Sequence, residues 1–196
     1  MDDLVLCDGF AYQKDMTYKV SYDESYFNKC LGYEDQKIAR EINAGRIAFV
    51  GKYFDDTVLD IGIGCGEFIK LRGRSHGFDV NQKAVEWLKA NGVYSDDFGA
   101  YSAFTFWDVI EHIEDHDFYF RHMKKGSYLF TSLPIFTDLN RIRESRHYRP
   151  GEHLWYWTET GFVDWMAGKG FRFLERRAFE IDAGREDIYS FAFIRT

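Results

Sequence analysis

The run Asp60-Ile61-Gly62-Ile63-Gly64-Cys65-Gly66-Glu67 sets three glycines behind an acid. Glycine takes positive φ without a Cβ clash and lets the main chain approach a ligand closely. One glycine would satisfy an ordinary strand-to-helix turn. Three at alternate positions describe a cradle for a cofactor. The spacing departs from the dinucleotide fingerprint G-x-G-x-x-G, because the third glycine comes one position early and Glu67 stands where that fingerprint ends in glycine. An anionic Glu67 at a helix start would also repel a pyrophosphate seated there. Asp79 closes the next apolar run, nineteen residues after Asp60. A carboxylate there can accept hydrogen bonds from both hydroxyls of a ribose, a device that dinucleotide enzymes also use.

Two further groups of residues could do chemistry. His112 is the best candidate for a general base, since an imidazole titrates near neutrality; Glu111 is its alternative. The segment from Arg141 to Trp157 mixes Arg141, Arg143, Arg146 and Arg149 with His147, His153 and aromatics such as Trp155. Arginine forks bind phosphate or carboxylate bidentately, and aromatic rings stack on sugars or bases. Arg146, His147, Arg149, His153 and Trp155 are therefore expected on a substrate-facing lid over an anionic partner.

These residues need a scaffold, and the pattern supplies one. Residues 34–50 read as a helix. Strands are then predicted over 57–61, 76–80, 102–109 and 127–133, with helices over 66–73 and 81–92 between them. Asn81 suits the N-cap of the second helix and Asn91-Gly92 its C-terminus. Ile110, Ile113, Phe120 and Met123 follow at helical spacing. Thr158 caps a helix over 159–168. Two strands, 171–180 and 187–196, are joined too closely for a parallel crossover and must form an antiparallel hairpin. Alternation of this kind gives a parallel sheet covered by helices. The first thirty or so residues are polar and tyrosine-rich, so 1–33 are expected to be an arm or lid and 34–196 the α/β domain.

The pattern D-x-G-x-G-x-G resembles motif I of the class I S-adenosylmethionine-dependent methyltransferases. "HGFDVN", "FTFWDVIEHIED" and "EHLWYWTETGFVDWMAGKGF" resemble later segments of the same family, so the likeness runs from about residue 50 to residue 196. "SYDESYF" resembles the tyrosine-rich entry segment of methyltransferases acting on nucleotide-linked or cell-surface sugars, and the whole resembles the small-molecule, ubiquinone/sugar methyltransferase-like branch. The resemblance implies a Rossmann-like methyltransferase fold: a mostly parallel seven-stranded sheet, helices on both faces and a C-terminal antiparallel hairpin. It implies S-adenosyl-L-methionine as cofactor, a ligand that is cationic at sulfur and carries no phosphate. The contacts it implies are Asp60, Gly62, Gly64, Gly66, Asp79, Val80, Asp97 and Asp108, with Tyr26 closing over from the arm and Tyr94 or Phe98 available to stack on adenine. It places His112 beside the reactive methyl. Relatives with paired zinc cysteines carry them upstream, where only Cys7 stands here, so no metal is expected.

The totals narrow the classes. A net charge of -7 argues against general nucleic-acid binding, which needs a basic surface; only the arginine-rich arm speaks for it. Three scattered cysteines, the absence of an apolar span and an N-terminus without a basic start imply a cytoplasmic protein. The leading expectation is a methyltransferase acting on a small polar substrate, neutral or anionic, such as a sugar or nucleotide-linked sugar. A DNA or RNA modifier, a nicotinamide-dependent oxidoreductase and a non-catalytic cofactor-binding module are the alternatives.

Overall fold

Two sheets organise the chain, which the computed structural model describes over residues 3–17, 23–31 and 37–196. The smaller is antiparallel and three-stranded, in the order β1 (Leu4–Leu6), β2 (Phe10–Gln13), β7 (Trp155–Trp157). Between β2 and the larger sheet come α1 (Glu24–Leu31) and α2 (Lys37–Gly51). The larger sheet is built from β3 (Val58–Ile61), β4 (Ser75–Phe78), β5 (Ala103–Trp107), β6 (Tyr128–Pro134), β8 (Phe171–Arg177) and β9 (Ile188–Arg195). Its order is β4-β3-β5-β6-β9-β8. The first four strands run parallel, and β9 pairs antiparallel with both β6 and β8.

The strands alternate between two covered faces, which is why they read as near-continuous apolar runs. Leu59, Ile61, Phe104, Phe106, Leu129, Phe191 and Phe193 pack in one core with Phe162 and Met166 of α6 (Glu159–Gly168). Val58, Ala103, Phe130 and Ala192 face the other way, against Phe49 and Val50 of α2 and Phe68 of α3 (Glu67–Arg72). Asn81 caps α4 (Gln82–Ala90) by accepting from the Lys83 amide at 2.9 Å, as its position predicts. Thr158 caps α6 in the same way, accepting from Gly161 at 3.1 Å.

Three expectations are corrected. The sheet has six strands, not seven. Where a seventh would extend the β4 edge there is one parallel bridge, Gly77 to Tyr94. The chain leaves α4 at Asn91-Gly92 and enters a 3-10 turn at Phe98, too soon to lay down a strand. Second, residues 110–123 do not form one helix. A 3-10 turn spans Ile110–His112, and α5 (His116–Phe120) starts afresh because Asp115 caps it, accepting from Phe118 at 3.2 Å. Third, the strand predicted over 171–180 stops at Arg177. A helical turn, α7 (Phe179–Asp182), swings Glu180 inward to two arginines.

The N-terminal strands also contribute to a core. Leu4 and Ala11 are buried with Phe136, Ile142 and Tyr156 beneath the small sheet. That sheet is fixed to the larger one where β6 ends: the Phe136 amide donates to the Trp157 carbonyl at 2.9 Å. At its other side Gly9 lies so close to Gly161 that a Cβ on Gly9 would stand 2.5 Å from the Gly161 Cα. Among the described residues no helix is long and apolar enough to cross a membrane.

Candidate functional site

The carboxyl ends of the parallel strands carry the site, where open α/β sheets bind their ligands. After β3 the glycine loop takes left-handed φ at all three glycines: 74° at Gly62, 57° at Gly64 and 79° at Gly66. The three are not equivalent. A Cβ on Gly62 would meet the Val109 side chain at 2.5 Å, and one on Gly66 the Trp87 ring at 2.6 Å, so both are closed by packing. A Cβ on Gly64 would meet nothing within 4 Å. The loop is therefore rigid at its flanks and bare at its centre, a cradle that a side chain at position 64 would fill.

Asp79, just past β4, holds this loop in shape. One carboxylate oxygen accepts from the Ile63 amide at 2.8 Å and the other from the Asn81 amide at 2.8 Å. Burial raises its pKa above the ordinary carboxylate value. Each oxygen keeps a lone pair for a further donor. Val80 beside it is 73% exposed. Asp60 lies deeper: it is buried and accepts from the Thr105 hydroxyl at 2.6 Å, and burial pushes its pKa up to about 7. Asp97 is exposed on the 3-10 turn that follows Tyr94. Phe98 is packed among the rings of Phe78, Phe118, Tyr119 and His122. The side chain of Tyr26 falls outside the described residues.

Beyond β5 the main chain is strained at Asp108, which takes φ 57° without being glycine. Two arginines hold it there. Arg46 of α2 donates to one oxygen at 2.9 Å, and Arg185 donates to both at 2.7 and 3.1 Å. The same arginines grip the fully buried Glu180, at 2.9 and 2.5 Å. Burial by itself would raise the Asp108 carboxyl, but the two guanidiniums outweigh it and hold the group well below the usual range. This charge-balanced cluster ties α2, β5 and α7 together. Nothing in the glycine motif announces it. The available signal is the register of α2, where Ile42, Arg46, Phe49 and Val50 share one face by helical spacing.

Two residues beyond Asp108, the turn Ile110–His112 meets the segment that leads into β7. The Leu154 amide donates to the Glu111 carbonyl at 2.8 Å, and His112 Nδ1 donates to the Glu152 carbonyl at 2.8 Å. These bonds bring Glu111, His112 and His153 together, with the two imidazole rings 4.7 Å apart and nearly perpendicular. Glu111 and His153 are almost wholly buried. Burial, reinforced by the Asp108 charge, raises Glu111 well above its ordinary value, while burial pushes His153 down to about 3 and lowers His112.

The arginine-rich arm is arranged differently from an open anion trap. Arg141 faces Glu144, Arg143 faces Asp3, Arg146 faces Glu186 and Arg149 faces Glu152. His147 is buried and donates to the Glu186 carbonyl at 2.9 Å; Trp155 donates its indole N–H to the Ile113 carbonyl at 2.9 Å. Of the five arm residues read as substrate contacts, the structure brings only His153 into the Glu111–His112 cluster.

A model of the methyltransferase domain matches residues 20–176. The chain belongs to this methyltransferase-domain family. Its fold is the Rossmann-like methyltransferase fold, and its cofactor is S-adenosylmethionine. Among similar solved structures is a Thermotoga maritima S-adenosylmethionine-dependent methyltransferase described as a possible histamine N-methyltransferase. It is 13% identical with a TM-score of 0.61 over 88% of this chain and 98% of that one. The magnesium protoporphyrin IX methyltransferase of Synechocystis, with bound S-adenosylhomocysteine, is 16% identical with a TM-score of 0.55 over 81% and 84%. A structure of the Haloferax volcanii Trm112 methyltransferase activator in complex with a methyltransferase is 13% identical with a TM-score of 0.61 over 86% and 94%. No curated protein matches the sequence.

Proposed function

We propose that this methyltransferase domain moves the methyl group of S-adenosylmethionine to a small polar acceptor of the sugar or nucleotide-linked sugar class. The observation that carries the reading is the bare centre of the loop at Gly64, latched to the Asp79 carboxylate through the Ile63 amide. The main chain of the Gly62–Gly66 loop, open at Gly64 and closed by packing at Gly62 and Gly66, would hold the methionine end. Asp79 would accept from the ribose hydroxyls, and the exposed Val80 would lie under the base. The bound sulfonium supplies an electrophilic methyl with a neutral thioether as leaving group, so alignment of the acceptor provides most of the rate. Asp60 and Asp108 would act from behind: the first braces β3 against β5, the second fixes the turn that presents Glu111 and His112.

Glu111, His112 and His153 form the largely buried polar cluster beside which the acceptor would sit. With Nδ1 bound to a carbonyl, His112 keeps its proton on that nitrogen and turns Nε2 toward Glu111. The carboxylate pairing of each arm arginine, together with the net charge of -7, favours a small acceptor over a nucleic acid. Isothermal titration calorimetry with S-adenosylmethionine, S-adenosylhomocysteine and the nicotinamide dinucleotides tests the reading. Micromolar binding of the first two is expected. Binding of a dinucleotide in their place would overturn it.

A further inference from the structure

Among the described residues Glu111, His112 and His153 each offer one ligand atom, and those atoms all lie within 4.8 Å of one another. Two buried atoms of this cluster make no hydrogen bond: Glu111 Oε2 and His153 Nδ1. Such orphans are uncommon in a folded protein, because each leaves a desolvated group without compensation. A carboxylate and an imidazole both left unpartnered, side by side and almost fully buried, ask for a shared partner that accepts lone pairs from both. Water satisfies one or two such groups. A metal ion satisfies both at once.

We propose that Glu111, His112 and His153 bind a divalent transition-metal ion. Two nitrogens and one carboxylate oxygen suit zinc, manganese, iron or cobalt; magnesium and calcium prefer oxygen throughout. His112 is already oriented as a ligand of this kind. Its Nδ1–H is committed to the Glu152 carbonyl at 2.8 Å, which fixes the tautomer and turns Nε2 toward Glu111 Oε1, 3.9 Å away. The Glu111 backbone is pinned by the Leu154 amide, so both sides of the set come from one hydrogen-bonded junction between the β5 exit and the β7 entry. Atoms that share an ion at about 2.1 Å stand about 3–3.5 Å apart, so the three side chains close by about 1 Å when it binds. Three protein ligands leave at least one position open. On the methyl-transfer reading above, that position takes an acceptor hydroxyl and favours its deprotonated form, the proton passing to solvent; the binding of the ion itself does not depend on that reading.

The full chain, free of any polyhistidine tag and stripped with chelator, is titrated with zinc, manganese, cobalt and magnesium chlorides by calorimetry, with no S-adenosylmethionine present. One ion per chain is expected for zinc, manganese or cobalt, at least tenfold tighter than for magnesium, with a rise in Tm. Glu111→Gln and His153→Gln keep similar volumes and are each expected to weaken binding at least a hundredfold while retaining calorimetric binding of S-adenosylhomocysteine, which reports the folded state. Cobalt loading gives a visible d–d spectrum in the parent that both variants lose. Failure of the parent to bind any of the three transition ions stoichiometrically would overturn the assignment, as would equal binding in parent and both variants. Either failure leaves the cofactor titration untouched, so the two readings stand or fall separately.

Discussion

Substituting Gly64 by alanine separates folding from binding. Position 64 has φ 57° and open space where the new methyl would go. The free protein therefore meets backbone strain but no clash. A left-handed alanine costs about 1–2 kcal/mol, and the stiffer unfolded chain returns about 0.4–1 kcal/mol. The net loss of about 1 kcal/mol lowers Tm by roughly 2–4 °C in a domain of this size. Gly73 is the control outside the loop. It has φ 76°, equally open surroundings, and lies at the far end of α3. Its ψ of -54° lies outside the left-handed helical region, so Gly73→Ala should lose more stability than Gly64→Ala. The two variants should part company in cofactor affinity. A methyl forced into a close contact costs about 1–3 kcal/mol, which is roughly a 5- to 150-fold weaker Kd. Calorimetry with S-adenosylhomocysteine and thermal melts of both variants measure the two quantities together. Equal affinities in Gly64→Ala and Gly73→Ala would refute the reasoning, because the bare centre of the loop would then hold nothing.

Asp79→Ala should weaken S-adenosylhomocysteine binding by about 1–3 kcal/mol through lost charged hydrogen bonds and a loosened loop, read by the same titration. Two buried groups should tilt stability in opposite directions with pH. Asp60 has a folded pKa raised to about 7, so above the unfolded value its charge is disfavoured. It removes up to about 4 kcal/mol as pH rises from about 4 to 7. His116, packed among Trp155, Trp157 and Trp165, has its pKa pushed down to about 4 by burial. It removes up to about 3 kcal/mol as pH falls from about 6.5 to 4. Chemical denaturation across pH 4–7 should show Asp60→Asn gaining stability relative to the parent toward pH 7, and His116→Phe gaining it toward pH 4; parallel curves would exclude both. Arg46→Met, which strips a largely buried cation from Asp108 and Glu180, should cost about 3 kcal/mol in the same assay.

The glycine loop was legible because its requirement is local: three left-handed positions leave a mark that composition alone cannot hide. The α4 cap at Asn81 and the α6 cap at Thr158 were legible for the same reason. What the sequence concealed was non-local. The apolar spacing of Ile110, Ile113, Phe120 and Met123 imitates a helix because a 3-10 turn and a short α-helix both bury residues three or four apart. Leu4 and Ala11 looked peripheral because their partners, Phe136, Ile142 and Tyr156, lie more than a hundred residues away. Asp108 read as a cofactor contact from its place after β5, yet Arg46 and Arg185 engage both its oxygens. The meeting of Glu111 with His153 depends on a junction between two loops, and no periodicity records that.

The touching main chains of Gly9 and Gly161 have a mechanical consequence. No side chain lies between them to act as a cushion, and Thr158 adds a backbone bond to the Gly9 carbonyl at 3.0 Å. The antiparallel flap and the start of α6 must therefore shift as one solid piece. His153, two residues before that flap's inner strand, is carried on a stiff bracket and not on a swinging arm. An acceptor molecule would be chosen by its fit to a preset shape, and variants that enlarge either glycine should change which acceptors fit before they change how the methyl donor binds.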